Sequence, residues 1–185
     1  IIAERLAGSI AEFTALMNER ALRLGCTGTH FANTHGLPDD GHYSTAEDLF
    51  RIAREGMSHE LFRELVGTAE HTVPATNSSG ERKLSNSNAL INEKAVYGDH
   101  YFYEGACGIK TGHTDAAGFC LASCAERNGL RVIAIVLGAG ADLVDFKRFD
   151  NFDDSIAILD WAFANYEHKT FVKEGADFGE RRFEA

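Results

Sequence analysis

Proline is scarce in this chain, with 2 residues in 185, and tryptophan (1) and methionine (2) are as rare. Basic side chains are in deficit: 18 Lys and Arg stand against 28 Asp and Glu, a formal net charge of -10. Proteins that grip nucleic acid neutralise phosphates with clustered Lys and Arg, so nucleic acid is excluded as a partner. The same deficit excludes electrostatic docking on an anionic membrane. No long hydrophobic run exists. The longest uncharged apolar stretch, Val132 to Ala141, is too short to span a bilayer. The cysteines at 26, 107, 120 and 124 form no C-x-x-C pair, and no Cys/His cluster has zinc-ligand spacing. Cys120 and Cys124 are four apart in an apolar run and read as buried thiols on one strand face, with a disulfide as the alternative. His30, His35 and His42 fit no helical or hairpin ligand pair, and no metal or other cofactor is implied. The chain also lacks an initiating Met and a targeting segment.

The remaining composition is that of a globular protein, 44% hydrophobic and 25% charged. Ile2, Leu6, Ile10, Phe13, Met17 and Leu24 mark a helix from about residue 2 to Leu24, stopped by Gly25. It has no cap before it, which reads as a chain whose upstream sequence has been removed. A polar loop, Cys26 to Tyr43, follows. Within it Asp39-Asp40-Gly41 reads as a turn rather than a carboxylate pair. Ser44-Thr45-Ala46-Glu47 is a capping box for a helix ending near Gly56. Ser58 is expected to cap a shorter helix with Leu61, Phe62 and Leu65. Thr68 to Leu84 is β-like and turn-rich, and a polar Ser-Asn loop leads into Ala89-Leu90-Ile91.

Three strands at hairpin spacing come next: Ala106 to Thr111, Phe119 to Ala125 and Leu130 to Leu137. Their turns are Gly112 to Asp115 and Arg127-Asn128-Gly129, the second with the Asn-Gly pair that favours tight hairpins. Strands this apolar on both faces require helices on both sides. The acidic stretch Asp142 to Asp154 reads as a solvated face leading into a last helix. Its carboxylates suit a positive helix N-terminus. Ile156, Leu159, Phe163 and Tyr166 are its inward face, and Trp161 is assigned to the core. Helices, then an antiparallel meander, then a helix make an α+β fold. Residues 1–169 form one unit. The tail, 170–185, reads as one weak strand and a polar end.

Lys110-Thr111-Gly112 carries the chemistry. As a tripeptide it is weak, but its setting Gly108-Ile-Lys-Thr-Gly-His-Thr114 places it at a strand end before a hairpin turn. There an ammonium attracts a substrate carboxylate, Thr111 offers a hydroxyl, and Gly112 leaves room for a substrate backbone. A peptide can add to such an edge as an extra strand. The bland reading is an ordinary strand end with a solvated lysine.

The residues resemble a known family in four places. Phe31-Ala-Asn-Thr-His-Gly-Leu-Pro-Asp-Asp-Gly-His-Tyr-Ser-Thr-Ala-Glu-Asp-Leu49, Asn86-Ser-Asn-Ala-Leu-Ile91, Gly108 to Thr114, and Asp153-Asp-Ser-Ile-Ala-Ile-Leu-Asp-Trp161 are similar to the penicillin-binding D-alanyl-D-alanine carboxypeptidases. These are low-molecular-mass serine peptidases of cell-wall synthesis. The resemblance runs to about Lys169 and implies a β-lactamase/DD-peptidase-like fold, an antiparallel sheet flanked by helices. It implies acyl transfer through the motifs S-x-x-K, S-x-N and K-T-G, with no cofactor. In that scheme Lys110 and Thr111 bind the terminal carboxylate, Gly112 admits the substrate, and the His113 backbone N–H completes an oxyanion hole. The implied partners are peptidoglycan stem peptides ending in D-Ala-D-Ala and β-lactam antibiotics, outside the cytoplasmic membrane.

The chain departs from the family pattern in one respect. No serine has Lys three positions on, and none has Asn two positions on. In the family both motifs lie upstream of the stretch matched here. The expectation is therefore the C-terminal part of a catalytic domain, incomplete at its N-terminus and inactive alone, with the tail as the start of a β-rich C-terminal domain. Apolar surface left uncovered would promote self-association or pairing with a second chain that supplies the missing half. A β-lactamase-type hydrolase fragment and a non-catalytic module that binds D-Ala peptides or packs on a partner are the alternatives.

Overall fold

The computed structural model describes residues 1–95, 98–142 and 148–169. The tail, residues 170–185, lies outside them. The sequence predicts one long first helix, but two are present: α1 (Ile2–Ala7) and α2 (Ile10–Arg23). Gly8 ends α1 at φ 90°, and the Ser9 hydroxyl accepts the Glu12 N–H at 3.1 Å. Ser9-x-x-Glu12 is itself a capping box, so a new N-terminus outcompetes continuation. The expected stop at Gly25 holds. Gly25, at φ 80°, donates to the Leu22 carbonyl and Cys26 to the Ala21 carbonyl at 2.9 Å, a Schellman closure. The predicted apolar stripe is not a buried one: Ile2, Leu6 and Ile10 are exposed, and the buried positions are Ala3, Thr14 and Ala21.

The next helix, α3 (Ala46–Gly56), begins one residue later than the predicted capping box. Thr45 is the N-cap and accepts from the Asp48 N–H at 3.1 Å. Ser44 is used otherwise, in a 2.8 Å hydroxyl pair with Thr29. Ser58 does not cap α4 (Glu60–Gly67), whose N-cap is His59. Its hydroxyl donates instead to the Glu55 carbonyl and finishes α3. A hairpin follows, β1 (Glu70–Val73) and β2 (Arg82–Ser85), paired from Glu70 with Ser85 to Val73 with Arg82. A short helix, α5 (Gly98–Tyr101), precedes the main sheet.

That sheet is β3 (Ala106–Thr114), β4 (Gly118–Arg127) and β5 (Leu130–Ala139), antiparallel in the order β3-β4-β5. The first hairpin turn lies three residues beyond its predicted place. Pairing continues through Gly112 with Cys120, His113 with Phe119 and Thr114 with Gly118, so the Lys-Thr-Gly segment sits inside a strand. The His113 and Phe119 rings stack with centroids 4.1 Å apart, and the Ala117 N–H donates to the Thr114 hydroxyl to close the turn. Gly118 has φ 66°, and a Cβ there would lie 2.9 Å from the Ala139 carbonyl oxygen, so only glycine turns the chain this tightly. A two-residue pair, β6 (Ala141–Asp142) and β7 (Arg148–Phe149), leads into α6 (Asp150–Asn165).

Both faces of the sheet are covered, as their apolar character requires. On one, Leu121, Ala125 and Ala134 pack with Leu90, Tyr101, Tyr103 and the α6 residues Phe152 and Leu159. On the other, Ile109 and Cys124 pack with Ala53 and Met57 of α3 and with Phe62 and Val66 of α4. Leu159 is fully buried, while Trp161 and Tyr166, both expected inside, are 59% exposed. The two rings meet edge-on at 5.6 Å on the solvent side of α6, because the inward stripe passes through Leu159 and Ala162. Asp150 and Asp153 occupy the first turn of α6, where Arg148 pairs with both. Leu159→Ala removes a side chain from the centre of the larger core and is expected to cost about 2–5 kcal/mol, read as a lowered urea midpoint with unchanged slope.

Candidate functional site

β3 is an edge strand of the main sheet, and half of an edge strand's backbone groups face away from its neighbour. Lys110, Thr111, Gly112 and His113 follow one another along it. Lys110, Gly112 and His113 are exposed and Thr111 is half-buried. The Lys110 ammonium bonds to the Thr111 carbonyl and, among the described residues, has no carboxylate partner. An exposed cation with acceptor-only company is ready for an anionic ligand. A Cβ on Gly112 would meet only the Cys120 Cβ at 4.0 Å. Among the described residues nothing demands glycine there, so the missing side chain leaves open space beside the strand.

A second segment meets this strand. The Ser87 and Thr111 hydroxyls are 2.8 Å apart, across 24 positions of sequence. Sequence reasoning singled out the Asn86-Ser87-Asn88 segment without assigning Ser87 to the site. The asparagines explain its placement. Asn86 donates from Nδ2 to the Thr68 carbonyl and accepts the Asn88 N–H at Oδ1. Asn88, 1% exposed, accepts the Leu90 N–H at 3.1 Å. Asn92 donates to the carbonyls of Ala69 and Asn86 and to the Ser85 hydroxyl. Asx turns of this kind replace regular ladders and fix a loop. Ala89 and Leu90, both at 0% exposure, anchor it in the core. Ser87 is thereby held against Thr111, and the paired hydroxyls fix the Thr111 rotamer at the strand face.

The long polar loop is organised separately. His30 and Tyr43 form an antiparallel bridge, and Asn18 of α2 both donates to and accepts from the Phe31 backbone. The Gly41 N–H donates to the Asp39 carboxylate at 2.8 Å, which makes the expected turn. The three histidines serve the loop backbone: Nδ1 of His42 accepts from Ala32, that of His35 from Leu37, and that of His30 lies 2.5 Å from the Gly41 carbonyl oxygen. Asp48, 2% exposed, ties the loop to α3 by accepting from the Gly28 N–H and the Thr29 hydroxyl, each at 2.8 Å, and from Arg51 at 2.9 Å. Burial alone would raise its pKa. The Thr29 and Gly28 hydrogen bonds and the Arg51 charge outweigh it and hold the carboxyl below its ordinary value. A lowered folded-state pKa stabilises the fold above the unfolded value of about 3.9 and loses that contribution as pH falls through the folded one. Thermal unfolding is therefore expected to come earlier as pH drops below about 4, and Asp48→Asn should flatten that dependence.

Comparison with known proteins gives one consistent picture. The family model described as D-alanyl-D-alanine carboxypeptidase matches residues 1–141. The D-alanyl-D-alanine carboxypeptidase DacF of Bacillus subtilis is 34% identical over 172 residues, which cover 93% of this chain and 40% of that protein. DacA of Escherichia coli is 33% identical over 180 residues, covering 96% of this chain and 39% of its own. The chain thus spans about two fifths of the curated relatives it matches. Among solved structures, a D-alanyl-D-alanine carboxypeptidase from Mycobacterium tuberculosis superposes with a TM-score of 0.72 at 29% identity, over 88% of this chain and 57% of that one. Penicillin-binding protein D2 from Listeria monocytogenes, in a cefotaxime-bound form, gives 0.66 at 33% identity over 87% of this chain and 58% of that one.

Proposed function

Because this chain belongs to the D-alanyl-D-alanine carboxypeptidase family of serine peptidases, we propose that β3 is the carboxylate-binding wall of an active site that removes the terminal D-alanine from peptidoglycan stem peptides. The observation that carries this reading is the exposed Lys110-Thr111-Gly112-His113 run on an edge strand, with Thr111 held by Ser87. Lys110 supplies the charge for the substrate carboxylate and Thr111 a hydroxyl donor. Gly112 gives the substrate backbone its approach, and His113 offers a backbone N–H to the developing oxyanion. β-Lactams, which end in a carboxylate beside a strained amide, would occupy the same wall. No cofactor enters the scheme. The site of action is the cell envelope, outside the cytoplasmic membrane. No described helix is long and apolar enough to cross a membrane.

None of the serines among these 185 residues stands in S-x-x-K or S-x-N spacing. These residues therefore bind and orient, and acylation needs a serine and its base from elsewhere. The far edge of the sheet supports a partner. Leu137 on β5 and Ile158 on α6 are 42% and 41% exposed beside an open groove that Ala46, Val136 and Ala157 also line. Association there, with a chain bearing the serine motifs or with a second copy, would cover this surface.

Titration of the isolated chain with a diacyl-L-lysyl-D-alanyl-D-alanine peptide tests the binding role. Amide resonances of Lys110 to His113 should shift, and the same peptide with its C-terminus amidated should bind at least tenfold more weakly. Equal binding of the two forms, or shifts confined to other strands, would refute the carboxylate wall.

A further inference from the structure

The thiols of Cys107 and Cys124 lie 3.0 Å apart across β3 and β4. We propose that this pair is an oxidation site, and that an intramolecular Cys107–Cys124 disulfide staples β3 to β4 directly beside the Lys-Thr-Gly wall.

The contact lies at a sheet irregularity. Ala106 pairs with Ala125, and the next registered pair is Gly108 with Cys124, so Cys107 is the extra residue of a bulge. Continued unbroken from Ala106 with Ala125, the register would set Cys107 directly opposite Cys124. At the bulge two residues of β3, Cys107 and Gly108, stand opposite the single residue Cys124 of β4, so the thiols stay in contact. Both belong to the cluster under α3 and α4 that contains Ala53, Met57 and Ile109. Cys124 is fully buried, whereas Cys107 is half-buried and within reach of a small reagent. The other two cysteines are engaged elsewhere. The Cys26 Sγ contacts the Asp48 carbonyl and the Cys120 Sγ the Ala117 carbonyl.

The electrostatics agree with this order of reaction. The hydrogen bond with Cys124, aided by the nearby Arg131 charge, holds the Cys107 thiol below its ordinary range against burial and Glu126. The same contact and burial push Cys124 up. Cys107, the more exposed of the two, is the thiol an external reagent meets, and its thiolate is the attacking species. It attacks one sulfur of an external disulfide, a glutathione-type or protein disulfide. That S–S bond breaks, and one external thiolate leaves with a proton. Cys124 then loses its proton, attacks the Cys107 sulfur of the mixed disulfide, and expels the second external thiol. Two cysteine thiols are oxidised, one external disulfide is reduced to two thiols, and the two protons pass to the leaving groups.

The staple closes the loop that contains Lys110, Thr111, Gly112 and His113, and it lies three residues from the lysine. Structural disulfides are at home in oxidising compartments such as the envelope. The inference itself does not depend on catalysis or on the proposed substrate.

The test equilibrates the full 185-residue chain with oxidised glutathione in excess over reduced, alkylates free thiols, and maps peptides by mass. The expected product has lost two hydrogens, carries a linked Cys107–Cys124 peptide, and is alkylated at Cys26 and Cys120. Its Tm should rise by about 5–10 °C over the reduced chain, the scale of a loop this short, and the rise should vanish on reduction. Cys120→Ala should keep both signals and Cys107→Ala should lose them. Four alkylated cysteines, a persistent glutathione adduct on Cys107, or a linkage through Cys26 or Cys120 would overturn the proposal. Because mapping is done on the unmutated chain, a variant that fails to fold does not leave the question open.

Discussion

Incubation of this chain with excess benzylpenicillin is expected to leave its intact mass unchanged. Acylation requires a serine whose proton is taken by a neighbouring base, and S-x-x-K spacing places the two on one helix face. None of the serines here has that neighbour. Ser87 lies against the Lys-Thr-Gly run, and its hydroxyl is paired with that of Thr111, not with an amine. A hydroxyl without a base to take its proton does not open a lactam at a useful rate. The same experiment on a protein that joins these residues to S-x-x-K and S-x-N segments should give one penicilloyl group per chain. The contrast is all or none, which makes it the sharpest result available. A stoichiometric adduct on the 185-residue chain alone would mean that some serine here is activated, and peptide mapping would show which. Such a result would replace the binding-wall reading with a complete site.

Lys110→Ala is the second large effect. In the isolated chain it should weaken binding of a D-alanyl-D-alanine-terminated peptide by roughly 10–100-fold, the usual worth of a charge-assisted hydrogen bond. The side chain is exposed and takes part in no core packing, so the thermal midpoint should move by less than about 1 °C. Lys110→Arg separates charge from shape. A guanidinium keeps the charge but presents a planar fork in place of a compact ammonium, so recovery should be partial. Thr111→Val should cost less than Lys110→Ala, because it removes one hydroxyl and leaves Ser87 facing a methyl group. If Lys110→Ala binds the peptide as tightly as the parent chain, the carboxylate is held elsewhere and the β3 assignment falls. Loss of binding together with a collapsed midpoint would instead report unfolding, and the unchanged midpoint is therefore part of the expectation.

These expectations concern a short strand whose chemistry was legible from residue order. Lys, Thr, Gly and His must follow one another on any strand, and the Asn-Gly turn at Asn128-Gly129 fixes the hairpin behind it. The strands were legible too, because runs apolar on both faces have no stable home except between two layers of helices. The capping box at Ser9 was equally readable in Gly8-Ser9-x-x-Glu12, although the apolar spacing across it suggested continuity.

What the amino-acid order alone determined, then, is the inventory and its local geometry: an acidic α+β chain, a meander of three strands, and a Lys-Thr-Gly run where one of them was expected to end. Periods of two and of 3.6 residues and the chemistry of turns are local, and a single segment carries them. Tertiary structure alone decided which distant groups meet. Ser87 reaches Thr111 because asparagine side chains fold its loop back on Thr68 and Ala69. Cys107 meets Cys124 at a bulge, where two residues of β3 stand opposite one of β4. Trp161 lies outside because the stripe through Leu159 meets the sheet first, and a helix has only one face to bury against it. Each depends on register, bulge or helix rotation. Those are settled by the summed packing of two faces, and no window of neighbouring residues contains that sum.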